Sequence, residues 1–176
     1  MQKMKVLVVL IVFFVLSSCM PAKKVWTSSP PLQSASNPYF KAEFEPLKGK
    51  SNFYTLFHLT VANKTDRDLE LLWSETRYLK DGQDKGTFVY SGIGAENVKN
   101  PPPEIIKAGE TLTRDLCPTM LVAYVPLREK SVQPGERGIM CGFIPPGEHG
   151  ILITVRDDGK NLQETLAIKI IEQEAR

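Results

Sequence analysis

Residues 53–61 read Phe-Tyr-Thr-Leu-Phe-His-Leu-Thr-Val and show the clearest two-residue alternation in the chain. One face of this segment carries Phe53, Phe57, Leu59 and Val61, and the other carries Tyr54, His58 and Thr60. A period of two with aromatic and β-branched residues is typical of a half-buried β-strand. The polar residues 63–67 predict a turn, and alternation resumes at Leu69, Leu71 and Trp73. We therefore expect a hairpin whose second strand places Trp73 in the core.

Short strand-like segments continue on both sides of this hairpin. They cover residues 39–44, 76–80, 87–90, 111–116, 138–144, 151–156 and 162–171. Turn signals such as Pro146-Gly147 and Asp158-Gly159 separate them, whereas Ser91–Pro103, with three consecutive prolines, is predicted to be a loop. Many short strands without a long helical stripe predict an all-β fold, a β-sandwich of about seven to nine strands.

The strand pattern, with a Trp expected in the core after the second long strand, resembles the immunoglobulin-like modules of cell-envelope proteins. This resemblance implies two packed sheets with Greek-key connections. It also implies a module that binds other molecules through its edges or loops.

The first residues combine a basic start, Lys3 and Lys5, with an apolar run from Val6 to Leu16. As a helix, a run of about 11 residues covers only about 16 Å. Because a bilayer core of about 30 Å needs roughly 20 apolar residues, this run is too short for a permanent span. The arrangement is typical of a secretory signal peptide.

The run ends in Leu16-Ser17-Ser18-Cys19, which resembles the lipobox of bacterial lipoproteins. The resemblance implies that Cys19 is the lipidation site, carrying acyl chains such as palmitate, and that the chain is cut just before it. Met20, where an Asp would favour inner-membrane retention, implies the outer membrane of a Gram-negative envelope, at its periplasmic leaflet or surface. In a single-membrane host the same anchor implies the outer face of the cell membrane. The alternative is an ordinary signal peptide that happens to contain a Cys.

These features divide the chain into three parts. We predict a lipoprotein signal peptide over residues 1–18, the lipidated Cys and a flexible tether over 19–38, and the β-sandwich over 39–176. The Ser- and Pro-rich tether could reach about 65 Å when extended. The 22 basic residues fall to 20 once Lys3 and Lys5 are removed, against 20 acidic residues, so nucleic acid is not an expected partner.

Two cysteines remain after Cys19, namely Cys117 and Cys141. An even pair in an oxidising compartment predicts a disulfide. The alternative is a pair of free buried thiols, because spacing alone does not show whether the two residues lie within reach.

Residues with chemical reactivity are few. His58 is expected on the outward face of its strand and His149 on a surface turn, and no H-E-x-x-H zinc motif is present. The sequence therefore predicts no catalytic residue, no metal site and no cofactor. Tyr54, Tyr78 and Tyr90 are interpreted either as an aromatic binding face or as ordinary sheet packing.

The leading hypothesis is a membrane-anchored, non-catalytic lipoprotein domain that binds an envelope protein or assists assembly, through a sheet edge or through Ser91–Pro103. The alternative is a small-ligand or carbohydrate-binding module with a pocket near Tyr78, Tyr90 or Tyr124. An enzyme would need a reactive cluster that forms only on folding.

Overall fold

The computed structural model describes residues 24–49, 52–94, 97–124 and 139–174, and these residues form two packed antiparallel sheets with a small two-stranded ribbon. The predicted all-β sandwich is confirmed. The predicted signal peptide and Cys19 lie outside the described residues. The strands of the described residues are β1 Lys24–Ser29, β2 Gln33–Ser36, β3 Phe40–Lys48, β4 Tyr54–Asn63, β5 Leu69–Leu71, β6 Arg77–Lys80, β7 Gln83–Asp84, β8 Phe88–Tyr90, β9 Glu104–Ile106, β10 Thr111–Pro118, β11 Val122–Tyr124, β12 Ile139–Cys141, β13 Gly147–Asp157 and β14 Lys160–Glu174.

The first sheet has the strand order β1-β14-β13-β5-β9, with β6 also beside β13 and β7 beside β6. The second sheet has the order β2-β3-β4-β10-β8, and β11 pairs with β12 as the ribbon. The longest strands of each sheet, β13 with β14 and β3 with β4, are neighbours joined by short connections. Asp158 and Gly159 take positive φ values of 46° and 77° in the β13–β14 turn, as expected for Asp-Gly in a two-residue hairpin.

The core forms where the inward faces of the two sheets meet. The second sheet contributes Phe57, Leu59 and Val61 from β4, and the first sheet contributes Ile151, Ile153 and Val155 from β13, all of them buried. Trp73 is only 1% exposed, which confirms its predicted place in the core. The alternation thus selects the buried side chains correctly from Phe57 to Val61. It fails at the start of the segment, where Tyr54 is buried and Phe53 only half-buried, because the pairing of β3 with β4 shifts register between Leu47 and Lys48.

The predicted hairpin between β4 and β5 is wrong, because β4 lies in the second sheet and β5 in the first. The chain crosses between the sheets at the polar turn that follows Asn63. The buried Asn63 amide donates to the carbonyls of Arg67 at 2.7 Å, Ile106 at 2.9 Å and Lys107 at 3.1 Å. The same turn residues that predicted a hairpin therefore hold a crossing, since these hydrogen bonds tie the turn to the end of β9.

The prediction of a flexible tether is also wrong over residues 24–36. β1 pairs antiparallel with β14 from Lys24 opposite Glu174 to Ser29 opposite Lys169, and β2 pairs with β3. The chain thus passes from the first sheet to the second within a few residues, and the sandwich includes the described residues from Lys24 onward, ahead of the predicted start at residue 39. Prolines flank these strands without interrupting them, which edge strands tolerate because one side of their backbone needs no partner strand.

Cys117 and Cys141 form a disulfide with their Cα atoms 5.8 Å apart. The bond joins the end of β10 to β12, and so attaches the ribbon to the second sheet. Of the two alternatives left open by the sequence, the structure therefore contains the bridged pair.

Candidate functional site

His149 does not lie on a surface turn as predicted, since it belongs to β13 and is fully buried. Its Nε2 lies 2.7 Å from the carbonyl oxygen of Pro145, and its Nδ1 lies 2.6 Å from the hydroxyl of Tyr78. A carbonyl only accepts, so Nε2 carries the proton and Nδ1 accepts a hydrogen bond from Tyr78. Burial lowers the pKa of His149 to about 4, so the ring is neutral at physiological pH. This ring is a packed core group with both nitrogens bonded.

Of the two interpretations of Tyr54, Tyr78 and Tyr90, the structure shows ordinary packing, because all three side chains are buried. Tyr78 packs edge-on against Phe88, with ring centroids 5.6 Å apart, and burial raises the pKa of its hydroxyl. Tyr90 stacks on Trp73 at 4.6 Å. Of the three tyrosines proposed to line a pocket, Tyr78 and Tyr90 are therefore core residues, and the side chain of Tyr124 lies outside the description.

Glu104 organises a polar cluster between the two sheets. One of its carboxylate oxygens accepts a hydrogen bond from the indole Nε1 of Trp73 at 2.8 Å, and the Arg114 guanidinium binds the same carboxylate. Glu104 lies on β9 of the first sheet and Arg114 on β10 of the second, so the pair joins two separate layers. Because Trp73 and Arg114 both donate to this one carboxylate, the cluster links the two sheets.

His58 lies on the outward face of the second sheet, as predicted. Its Nδ1 lies 2.6 Å from a carboxylate oxygen of Asp115, its register partner on β10, and Glu45 is its register partner on β3. Lys41 and Glu43 occupy the same outward parity on β3 and form an ion pair of 2.6 Å. We call these five residues the outer charged face. Three of its five side chains are carboxylates, so the face is mainly acidic.

The two histidines are held apart by the sheet that separates them. The ring of His149 packs against Phe57, with centroids 5.8 Å apart, on the inner side of β4, whereas His58 is on its outer side. The described residues contain no group of three or more His, Cys, Asp or Glu side chains placed to hold a metal ion. Every buried side-chain nitrogen and oxygen in the described part of the chain has a hydrogen-bond partner.

A second surface feature lies at the end of the sandwich where β1 begins. The ring centroids of Trp26 and Phe53 are 4.8 Å apart, and those of Phe53 and Phe143 are 5.2 Å apart. We call these three residues the aromatic patch. Trp26 and Phe53 are half-buried, and Phe143 is 58% exposed. Three segments that are distant in sequence thus bring aromatic rings together at a surface.

Backbone hydrogen bonds fix the segments that carry the aromatic patch. The amide of Trp26 donates to the carbonyl of Asn52 at 3.5 Å, and the amide of Ile144 donates to the carbonyl of Tyr54 at 2.9 Å. The patch is therefore a fixed part of the sandwich surface. The sequence did not predict this patch: Phe53 was expected on the buried face of its strand, and Phe143 lies in the segment 138–144, which was predicted only to be a strand.

Within the part of the chain that the structure describes, no helix is long and apolar enough to cross a membrane. Comparison of the chain with protein-family models, with curated proteins and with solved structures finds no significant match.

Proposed function

We propose that this chain is a lipoprotein of the cell envelope, held at a membrane by acyl chains on Cys19, whose β-sandwich is a non-catalytic module that binds another envelope protein. The observation that carries the proposal is the sequence Leu16-Ser17-Ser18-Cys19 after a basic start and a short apolar run. Two or more acyl chains hold a protein at a membrane far more firmly than one. The favoured location is the outer membrane or, in a single-membrane host, the outer face of the cell membrane.

A binding role is favoured over catalysis by the state of the polar groups. Catalytic groups act from clefts where unpartnered or perturbed side chains converge. Here the group with the strongly lowered pKa, His149, is sealed in the core with both ring nitrogens bonded. We also propose that the β-sandwich is an immunoglobulin-like module. The buried Trp73 and the connections that cross between the sheets support this assignment.

The outer charged face is the surface we assign to the partner. The sheet edges that the sequence suggested as contacts are formed by short strands, with six residues in β1, four in β2 and three each in β8 and β9. Short edges next to prolines, such as Pro101–Pro103 before β9, are typical of edges protected against strand pairing. The loop Ser91–Pro103 is partly folded onto the body, since Val98 and Pro101 are buried. The broad outer face of β3, β4 and β10 is therefore the remaining candidate contact surface. Because most of its charged side chains are acidic, it suits a basic surface on the partner.

Two measurements test the proposal. Mass spectrometry of the mature protein should find acylated Cys19 as its first residue, and a mature chain that retains residues 1–18 with a free thiol would refute the anchor. In cells, a photo-cross-linker at position 60, between the charged residues, should give a specific adduct with one envelope protein. Glu45→Lys should weaken that adduct, whereas Lys160→Glu, a charge reversal in the distant β13–β14 turn, should not.

A further inference from the structure

Building on the proposed lipid anchor, we propose that the aromatic patch lies against the lipid headgroup region of the same membrane, so that the sandwich rests on the bilayer in a fixed orientation. The occupant of this surface is the bilayer itself.

The chain between the anchor and the patch is short. The predicted tether to residue 38 would let the domain stand far from the membrane, but the sandwich already includes Lys24. Six residues lie between Cys19 and Trp26, and the seven steps from one Cα atom to the other span at most about 24 Å when the chain is fully extended. The end of the sandwich that carries the aromatic patch is therefore held within a short distance of the membrane surface.

The chemistry of this end suits the membrane–water interface. Trp is favoured at the level of the headgroups, where its ring meets an apolar and a polar environment at once. Phe143 is 58% exposed, and Met120, in the turn after β10, is 55% exposed. The amide of Gly142 donates to the carbonyl of Leu121 at 2.9 Å, which brings these two segments side by side. Two of the large apolar side chains most exposed among the described residues thus share the end from which the chain leads to the anchor.

The described charges at this end include both signs. Lys24 is paired with Glu172 at 2.5 Å, and Lys80 lies 3.4 Å from Asp81. Lys48 lies over the Tyr54 ring, 5.1 Å from its centroid. Because the charges near the patch include both signs, we expect the contact to be driven by the aromatic rings and to depend little on salt or on anionic lipid.

The experiment uses the full-length lipidated protein in vesicles of phosphatidylethanolamine and phosphatidylglycerol, with bromine atoms on the acyl chains as quenchers of tryptophan emission. The chain has two Trp residues, and Trp73 is buried in the core, so quenching should come from Trp26. We expect a loss of emission relative to unbrominated vesicles, and we expect Trp26→Phe to abolish that loss. Phe143→Ser should reduce the quenching. Ile105→Ser, which removes a side chain that is 53% exposed on β9, is the matched control and should leave it unchanged.

The outcomes separate this inference from the proposed function. Protein that floats with the vesicles and shows quenching lost in Trp26→Phe supports the contact. Protein that is acylated and floats, but whose Trp26 emission is the same with and without bromine, refutes the contact and leaves the anchor standing. Protein without acylation that fails to float refutes both. Far-ultraviolet circular dichroism of each variant confirms that a lost signal does not come from unfolding.

Discussion

Stability should fall as the pH is lowered from 7.5 to 5.0, because His149 is buried in its neutral form. Burial lowers its folded pKa to about 4, whereas an imidazole in the unfolded chain titrates near about 6.5. Below about pH 6.5 the unfolded chain therefore binds a proton that the folded chain does not bind until about pH 4. Integrating this difference from pH 7.5 to 5.0 gives a loss of about 2 kcal/mol in the free energy of unfolding.

The measurement is denaturant unfolding over this pH range in the wild type, His149→Gln and His58→Gln. The window ends at pH 5.0 because the carboxyls of Asp84 and Asp157 have pKa values lowered by their Arg partners and stay ionised above it. His149→Gln should be less stable at pH 7.5, since it removes ring packing and disturbs the bond to Tyr78, but its stability should change little with pH. His58→Gln should keep the pH dependence of the wild type, because His149 is unchanged.

A wild-type stability that is constant between pH 7.5 and 5.0 would refute the reasoning. So would a His149→Gln variant with the full pH dependence, because another group would then bind the proton. A pH dependence that disappears in His58→Gln would assign the effect to the outer charged face instead of the core.

Three further predictions concern elements that hold the sandwich together. Reduction of Cys117–Cys141 should lower the free energy of unfolding by about 3.5 kcal/mol in the chain-entropy model, measured by denaturant unfolding with and without reductant; an unchanged midpoint would contradict it. Asn63→Ala should lower the free energy of unfolding by about 3 kcal/mol, because three carbonyls lose their donor. Asn63→Asp keeps the shape of the side chain but not its donors, so it should be at least as destabilising. A neutral effect of either substitution would contradict the role of Asn63 in the crossing between the sheets. Gly159→Ala should lower the free energy of unfolding by about 1 kcal/mol, because residue 159 has a positive φ, and Gly159→Asn should be better tolerated. Thermal unfolding measures both effects, and equal midpoints for the wild type and the two variants would contradict this expectation.

Local pattern predicted most of the strands correctly. The alternation around Phe57 indicates which face of the strand is buried. It depends only on residues that are neighbours in sequence, so it can be recognised without the structure. The strand predicted at 162–171 is longer in the structure, Lys160–Glu174, since pairing with both β13 and β1 extends it beyond its apolar residues.

What the sequence did not reveal depends on contacts between distant segments. Trp26 sits in a polar, proline-rich stretch with no period, and its strand forms because β14 supplies a partner. The crossing at Asn63 depends on carbonyls at the far end of β9, more than 40 residues away. His149 could have been found, since it shares a two-residue parity with Ile151, Ile153 and Val155, but the preceding Pro-Gly suggested a turn. The aromatic patch could not be predicted from local pattern, because three segments distant in sequence build it.

The pairing of β1 with β14 has a mechanical consequence. Its hydrogen bonds run perpendicular to the two strands, from Lys24 opposite Glu174 to Ser29 opposite Lys169. A force that pulls the body away from the proposed anchor enters the fold at Lys24 and acts along the axis of β1. The hydrogen bonds between β1 and β14 are then loaded together in shear, instead of breaking one after another. A domain held through its first strand in this way can resist a force along the strand that would detach the same strand if it acted perpendicular to the strand axis.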